Sequence, residues 1–213
     1  MTTPVDNQPV TVVATFQVKD GRFDDFEDAI AGQMHLMVQA VGFLGATFAR
    51  SLKQPDQYLL TSTWRDGAAY THLVSQVRFA NYSFGPLQSL AVGDSDRGQT
   101  LAERFPSGDG ETGVVALTRF TLKNAGATDA FEEAFTSHAE FVRSRDGFVA
   151  HRFVRSTREP ARYLNLGWWR DADAYLAVLH SPEFQADAKT MAPLVAVDGG
   201  LYRIVQSYVP VAA

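Results

Sequence analysis

The chain has 213 residues, of which 46% are hydrophobic, and a formal net charge of −5. This length and apolar content allow a sizeable core in one large domain or two small ones. The negative charge and the absence of a Lys/Arg cluster argue against nucleic acid as a partner, and no apolar run approaches the roughly 20 residues of a membrane span.

Since the sequence has no Cys, disulfides, zinc-thiolate sites and cysteine nucleophiles are excluded. The N-terminus lacks a signal-peptide pattern, so a cytoplasmic location is the default expectation.

The sequence repeats itself. Trp64 corresponds to Trp169, and at the same offset of 105 residues 13 of the 29 positions between Gly42 and Tyr70 are identical, far more than unrelated stretches share. We therefore predict two copies of one domain of about 100 residues, a common size for a single domain. The first copy is assigned to residues 1–106 and the second to 107–213. The Gly/Ser/Asp-rich segment Pro106 to Thr112 is the predicted linker.

Each copy is predicted to begin with a strand and a helix. Val10 to Lys19 alternates and is rich in Val, Thr and Phe, which indicates a strand. We expect Asp24 and Asp129 to cap the helix that follows in each copy, with a Glu three residues later that reaches back to the cap, a variant of the capping box. Two further strands joined by short Pro-containing links, typical of hairpins, are predicted at Phe43 to Leu52 and Tyr58 to Trp64, and at Phe148 to Thr157 and Tyr163 to Trp169.

A second helical segment and a last strand complete each copy. The helix is expected to start at Asp66 or Asp171, and Ser181 followed by Pro182 predicts a further helix start. The last strand of the second copy is predicted at Leu201 to Val211, and its weaker counterpart in the first copy at Gln99 to Phe105. The order βαββαβ is the ferredoxin-like arrangement, in which helices cover one face of an antiparallel sheet.

The fold class that follows is α+β, with two tandem ferredoxin-like repeats packed sheet to sheet as an intramolecular dimeric α+β barrel. The packing is inferred from the strand Tyr163 to Trp169, where Leu164, Leu166 and Trp168 make the second face apolar. An apolar sheet face must be buried against another part of the protein, and the sheet of the other repeat is the obvious candidate.

One polar residue stands out on that strand. Asn165 shares its face with Gly167 and Trp169, and an unpaired amide in an apolar setting costs roughly 1–3 kcal/mol. Asn165 therefore needs a partner, either a neighbouring backbone group or a ligand. Gly167 leaves space on the same face, so the three residues outline a small polar and aromatic niche.

These residues resemble the antibiotic-biosynthesis monooxygenase family of the dimeric α+β barrel superfamily. The resemblance rests on the Gly-Phe strand starts at Gly42 and Gly147 and on the aromatic strand that runs into W-x-D-x-x-A-Y, and it covers nearly the whole chain, once per repeat. It implies an active cavity between the sheet and the helices, lined by an Asn four residues before the strand Trp, by that Trp, and by a Tyr six residues after it. In this sequence the three are Asn165, Trp169 and Tyr175.

The first repeat departs from this pattern. It keeps Trp64 and Tyr70 but has Leu60 in place of the Asn, so the second repeat is expected to carry the chemistry and the first to have a degenerate site. The resemblance implies oxidation of an aromatic polyketide-like phenol or anthrone to a quinone with O2, without metal, flavin or another cofactor. The expected partners are thus a small aromatic substrate and O2, with no nucleic acid and no membrane.

Oxygenation without a cofactor requires that the substrate lose a proton and that the protein stabilise the resulting oxyanion. His138, on the apolar stripe of the helix with Phe135, is the candidate base because imidazole ordinarily titrates near pH 6.5. Asn165 and the indole N–H of Trp169 are the candidate donors, and Tyr175 donates or relays a proton. The predicted substrate-binding residues are Gly167, Phe135, Trp64 and Tyr70.

Each of these residues also has a structural interpretation. The paired tryptophans and tyrosines can be retained for core packing, His138 can be a core or rim histidine, and Asn165 can make a structural hydrogen bond. Arg50 and Arg155 occur in both copies and are expected to form structural ion pairs rather than to bind substrate.

Other functions fit the same scaffold. A polyketide cyclase would use the pocket without consuming oxygen, and a non-catalytic small-molecule carrier would only bind. A heme-degrading oxygenase would need an axial His where Ala188 and Ser83 stand, which argues against heme. The resemblance also fails at Val154, where some members carry a His. The sequence leaves open the identity of the substrate and whether the chain assembles into a homo-oligomer.

Overall fold

The structure, a computed structural model, describes residues 8–83, 85–104 and 113–211, apart from the side chains of residues 82 and 104. The chain divides into two compact units, one of residues 1–100 with 204–213 and the other of residues 101–203. The predicted linker, residues 106–112, and the predicted boundary between residues 106 and 107 lie outside the described residues.

The helices and strands follow the predicted order in both halves of the chain. The first half contains β1 Val10–Val18, α1 Phe23–Met37, β2 Phe43–Ser51, β3 Gln57–Trp64, α2 Gly67–Val74, α3 Val77–Ser83, α4 Gly85–Leu90 and β4 Ala91–Arg104. The second half contains β5 Val114–Leu122, α5 Thr128–Arg143, β6 Phe148–Ser156, β7 Arg162–Trp169, α6 Ala172–Leu179, α7 Pro182–Met191 and β8 Val195–Tyr208. None of the helices in the described ranges combines the length and the apolar character needed to cross a membrane.

The strands of each unit pair in the same order. In the first unit β1 and β3 are central, with β4 beside β1 and β2 beside β3, and every pairing is antiparallel. In the second unit β5 and β7 are central, with β8 beside β5 and β6 beside β7. This order, with helices connecting the strands, is the ferredoxin-like arrangement. The predicted α+β class and the tandem ferredoxin-like repeats are therefore confirmed.

The long helix of each unit buries its apolar stripe on the sheet. Phe26 on α1 is fully buried, and its ring centroid lies 5.1 Å from that of Tyr58 on β3. Phe131 on α5 makes the equivalent contact with Tyr163 on β7, also at 5.1 Å. Both repeats therefore build this part of the core from the same pair of aromatic residues.

The predicted capping of the long helices is wrong. α1 begins at Phe23 and α5 at Thr128, so Asp24 and Asp129 lie inside the first turn, and neither helix has a side-chain hydrogen bond from its cap residue. A carboxylate in the first turn is still favourable, because it lies next to the positive end of the helix dipole.

The side chains of Glu27 and Glu132, which were expected to reach back to the helix caps, accept hydrogen bonds from tyrosines of the sheet instead. Tyr163 donates a 2.7 Å hydrogen bond to Glu132 Oε1, and Arg155 Nη1 lies 3.6 Å from the same oxygen. Burial, together with this hydrogen bond, raises the pKa of Tyr163 to about 12. The first repeat has the same arrangement in Tyr58, Glu27 and Arg50. The expected structural ion pairs of the two arginines are thus confirmed.

The predicted caps of the later helices are confirmed. Asp66 and Asp171 precede α2 and α6, and each accepts a 2.7 Å hydrogen bond from the backbone N–H three residues later. Ser181 caps α7 in the same way, with its hydroxyl 3.3 Å from the N–H of Phe184. These caps fix where α6 and α7 begin, and both helices contribute side chains to the site described below.

Glycine is required at the two Gly-Phe strand starts. Gly42 and Gly147 have φ angles of +85° and +77°, in the left-handed region that other residues avoid. A Cβ atom at these positions would lie 2.6 Å from Ala69 Cβ and 2.4 Å from Ala174 Cβ. The glycine and the alanine of the repeated motif are therefore coupled by the close approach of the strand start to α2 or α6.

The last strands differ from their predicted bounds. The strand predicted at Leu201 to Val211 is β8 Val195–Tyr208, and the one predicted at Gln99 to Phe105 is β4 Ala91–Arg104. Both begin earlier than predicted. Asp198 and Gly199 of β8 look like turn residues in sequence but pair with β5 in register, and Gly93 and Asp94 of β4 pair with β1 in the same way. The first residues of both strands are mostly exposed and do not alternate between apolar and polar, so no sequence pattern predicts that they form a strand.

Candidate active site

A cavity of about 370 Å³ lies between the sheet of the second unit and the helices α5, α6 and α7. This volume falls in the range of small-molecule pockets, about 300–1,000 Å³. Most of its wall is aliphatic or aromatic, and a small number of polar side chains reach it from both the sheet and the helices. A pocket of this composition suits a flat apolar ligand with a few polar atoms.

The sheet side of the cavity is set by the strand register. Asn165 of β7 pairs with Thr118 of β5, and Gly167 pairs with His151 of β6. Alternate residues of a strand share a face, and Asn165, Gly167 and Trp169 all line the cavity. Their partners Thr118 and His151 line it as well. The niche expected from the sequence is thus a continuous part of the cavity wall.

Asn165 brings an unpaired polar atom to this wall. Its Oδ1 is fully buried and makes no hydrogen bond with any residue of the described ranges. An unmade hydrogen bond on a buried acceptor costs about 1–3 kcal/mol. A ligand hydroxyl that donates to this oxygen would remove that cost, and the same amide carries an NH2 group that can donate.

The indole N–H of Trp169 differs from that of its counterpart in the first repeat. Trp64 Nε1 donates a 3.0 Å hydrogen bond to Ser62 Oγ. Gly167 stands in place of Ser62, and a Cβ atom there would lie only 3.2 Å from Trp169 Nε1. The space that a side chain would fill is part of the cavity, and Trp169 Nε1 has no hydrogen-bond acceptor among the described residues.

The ring of Trp169 is held between two other aromatic residues. Phe148 meets it edge to face at a centroid distance of 5.4 Å, and Tyr175 at 5.6 Å. Burial raises the pKa of the Tyr175 phenol, so its hydroxyl stays protonated at neutral pH and is available as a donor. Tyr175 also lines the cavity, which places its side chain beside the indole that it packs on.

His138 enters the cavity wall from α5. Its Nδ1 lies 3.0 Å from Asp187 Oδ2 on α7, and its ring packs edge to face on Phe184 at 4.9 Å. Because a carboxylate can only accept, Nδ1 carries the proton of this bond, and in the neutral imidazole Nε2 is the nitrogen with the free lone pair. The pair therefore has the arrangement of an imidazole base oriented by a carboxylate.

Sequence reasoning missed Asp187. On α7 it stands three residues after Phe184 and four before Met191, both of which line the cavity. Its position on this helical stripe was the available indication that it faces the core. Only the packing of α7 against α5, however, shows that its partner is His138.

Sequence reasoning also missed a second pair of polar residues. His151 of β6 lines the cavity and is only 4% exposed, and its Nε2 lies 2.8 Å from Arg143 Nη2 at the end of α5. A guanidinium can only donate, so His151 accepts through Nε2 and carries its proton on Nδ1. The strand alternation that places Phe153 on the helix-covered face would also have placed His151 there.

The other predicted site residues are divided between the units. Phe135 lines the second unit's cavity and stacks on Phe153 at a centroid distance of 3.7 Å. Tyr70 lines a separate cavity of the first unit. Trp64 does not line that cavity: its side chain is fully buried and its N–H is bonded to Ser62. Within the described part of the chain, no group of three or more His, Asp or Glu side chains is arranged to hold a metal ion.

Two segments of the chain, residues 9–82 and 113–189, match the family model for antibiotic biosynthesis monooxygenases. The chain belongs to the antibiotic biosynthesis monooxygenase family. Each match falls within one repeat, so the family domain occurs twice, as the sequence resemblance implied.

Several known proteins are similar to the chain in sequence or in fold. Deoxynogalonate monooxygenase of Streptomyces nogalater is 32% identical over 89 residues, which are 42% of this chain and 74% of that protein. A putative monooxygenase from Fusobacterium nucleatum superposes with a TM-score of 0.80 at 13% identity, over 95% of this chain and 94% of that one. An anthrone oxidase-like protein superposes with a TM-score of 0.75 at 14% identity, over 96% and 94% of the two chains. At these identities the two solved structures support the fold alone.

Proposed function

We propose that the second repeat is a cofactor-independent monooxygenase that oxidises an aromatic, polyketide-like phenol or anthrone to a quinone with O2. The observation that carries this proposal is the buried, unpaired Oδ1 of Asn165 in an aromatic cavity that also holds the indole N–H of Trp169 and the paired imidazole of His138. Membership of a monooxygenase family and the similarity to deoxynogalonate monooxygenase support the same reaction class.

The first step is removal of a proton from the substrate. His138 takes the proton on Nε2, and Asp187 stabilises the imidazolium that forms through the bond to Nδ1. The phenol or anthrone becomes a phenolate or enolate, which is electron-rich enough to reduce O2. Most of the wall around the imidazole is apolar, which favours a poorly hydrated anion at this position.

The second step is stabilisation of the anion. The negative charge develops on the substrate oxygen, and the N–H of Trp169, the amide NH2 of Asn165 and the hydroxyl of Tyr175 are the donors available in the cavity wall. Before deprotonation, a substrate hydroxyl donates to the unpaired Oδ1 of Asn165 instead. The amide of Asn165 therefore accepts from the neutral substrate through Oδ1 and donates to the anionic substrate through its NH2 group. The hydrogen bonds from the three donors become stronger as negative charge develops on the substrate oxygen.

The last step consumes O2. For an anthrone, the enolate carbon transfers an electron to O2 and forms a C–O bond, which gives a hydroperoxide at that carbon. Loss of the remaining C–H proton and cleavage of the O–O bond release water and leave a carbonyl, so that one CH2 group and one O2 yield one C=O group and one H2O. In this scheme the protein supplies a base, oriented donors and a water-poor cavity.

Oxygen uptake by chelator-treated protein with a panel of anthrones and dihydroxynaphthalenes tests the proposal. Asn165→Ala should lower the uptake rate at least tenfold, a loss of about 1.4 kcal/mol in transition-state stabilisation. Thr61→Val is a matched control, because Thr61 Oγ1 is another buried, unpaired oxygen but lies on β3 of the first unit, outside both cavities.

The outcomes separate the alternatives. Uptake that survives chelation, falls in Asn165→Ala and is unchanged in Thr61→Val supports the assignment to the second repeat. Uptake that Asn165→Ala leaves unchanged would refute the site. Substrate conversion without oxygen consumption would indicate a cyclase, and binding without conversion a carrier.

A further inference from the structure

The first unit holds a cavity of its own, of about 310 Å³, between its sheet and its helices. Its walls lack the chemistry of the second cavity. Leu60 occupies the position of Asn165, Ser62 already accepts the indole N–H of Trp64, and Gln33 stands where His138 stands in the second repeat. This cavity therefore lacks the proposed base and two of the three proposed donors, and it keeps only the counterpart of Tyr175, which is Tyr70.

Two polar atoms in this cavity wall have no partner. Gln33 Oε1 on α1 and Ser83 Oγ on α3 are fully buried, and neither makes a hydrogen bond to any described residue. Ser83 is only 8% exposed as a whole residue, and its counterpart in the second repeat is Ala188. In the first cavity the unpaired groups thus lie on the helices, whereas in the second cavity the unpaired amide of Asn165 lies on the sheet.

Buried polar groups are normally hydrogen-bonded, so two unpaired ones in the wall of a single cavity indicate a ligand that pairs with them. Gln33 Oε1 can only accept, and the Ser83 hydroxyl can donate or accept. The ligand must therefore present a hydrogen-bond donor, and a hydroxyl group serves both atoms.

The rest of the wall limits the ligand further. Among the described lining residues none is Lys, Arg or His, and the carboxylate of Asp94 lies at the exposed edge. An anionic ligand is therefore disfavoured. The rings of Phe16, Tyr70 and Phe79 line the cavity and suit a flat aromatic body.

We propose that the first repeat is a second, non-catalytic binding site for a neutral aromatic hydroxyl compound, held by Gln33 and Ser83. The ligand hydroxyl donates to Gln33 Oε1, and the Ser83 hydroxyl donates to the ligand oxygen. This site takes the same chemical class as the proposed substrate of the second repeat but binds it without a base, so that the tandem chain has two sites with different roles.

Isothermal titration under anaerobic conditions tests this site with 2-naphthol as the probe. 2-Methoxynaphthalene is the matched control ligand, because it has the same rings but no hydroxyl hydrogen. Gln33→Met is the test variant, since Met has a similar length and no amide. Ala188→Phe fills the cavity of the second repeat and isolates the first site.

We expect Ala188→Phe to bind one equivalent of 2-naphthol, and the methyl ether to bind at least tenfold more weakly. Adding Gln33→Met should lower the affinity for 2-naphthol at least tenfold and abolish the difference between the two probes. In the otherwise unchanged chain, Gln33→Met should weaken one equivalent of 2-naphthol binding at least tenfold, whether or not the second repeat binds the probe. A failure of the proposed catalytic function would thus leave this result intact.

Stability gives an independent readout. Because Gln33→Met deletes an unpaired buried group, its melting temperature should not fall below that of the wild type. No binding by folded Ala188→Phe would overturn the proposal, and so would unchanged affinity in Gln33→Met. A marked loss of stability in Gln33→Met would assign Gln33 a structural role and overturn it as well.

Discussion

Replacing Asn165 with Leu separates a ligand-binding amide from a structural one. The equivalent position of the first repeat is Leu60, which is only 5% exposed, so the fold accepts Leu at this point of the sheet. The change removes a buried oxygen that has no partner among the described residues, and such an atom costs about 1–3 kcal/mol. We therefore expect Asn165→Leu to be at least as stable as the wild type, with a gain of about 1 kcal/mol raising the melting temperature by about 2–4 °C.

Activity should change in the opposite direction. Loss of the amide removes both the acceptor for the substrate hydroxyl and a donor to the anion, so oxygen uptake should fall at least tenfold, or about 1.4 kcal/mol. Thermal unfolding followed by circular dichroism and oxygen uptake on the same samples measure both effects. A variant that melts several degrees lower would show that Asn165 supports the fold, and a stable variant with wild-type uptake would refute its role in the site.

Three further changes test the roles of Trp169, His138 and Tyr163. Gly167→Ser should place a hydroxyl beside the indole N–H of Trp169 and lower oxygen uptake at least tenfold without unfolding the protein, and unchanged uptake would exclude that N–H as a donor. Asp187→Asn removes the carboxylate that orients His138 and should lower kcat at least tenfold with little change in KM, whereas a change in KM alone would indicate a binding role. Tyr163 has a folded-state pKa of about 12, above its ordinary value near 10, so its stabilising effect is complete below pH 10 and is lost as the pH rises through 12. Tyr163→Phe should therefore lose less free energy of unfolding than the wild type between pH 10 and 12, as measured by urea titration, and parallel curves would contradict this.

The parts of the fold that depend on local sequence were predictable. Asp66, Asp171 and Ser181 cap their helices because the acceptor and the N–H that it binds lie three residues apart. The caps of the long helices could not be predicted in this way. Glu27 and Glu132 fit a capping box in sequence, but each accepts a hydrogen bond from a tyrosine 31 residues away, on the sheet.

The same division applies to the candidate site. Period-two alternation on one strand was enough to group Asn165, Gly167 and Trp169, because all three belong to the same local element. The partner of His138 lies on another helix, 49 residues later in the chain, and nothing near either residue indicates the pairing. The free indole of Trp169 likewise becomes evident only by comparison with Trp64, whose N–H is bonded to Ser62.

We propose that the second repeat oxygenates an aromatic substrate without a cofactor. The most direct test is mass spectrometry of the quinone that chelator-treated, flavin-free protein forms from an anthrone under 18O2. We expect one labelled oxygen atom per quinone for the wild type, and at least tenfold slower formation of labelled quinone by Asn165→Leu. A quinone whose new oxygen comes from water, or labelled product that forms only after a metal or flavin is added, would contradict it.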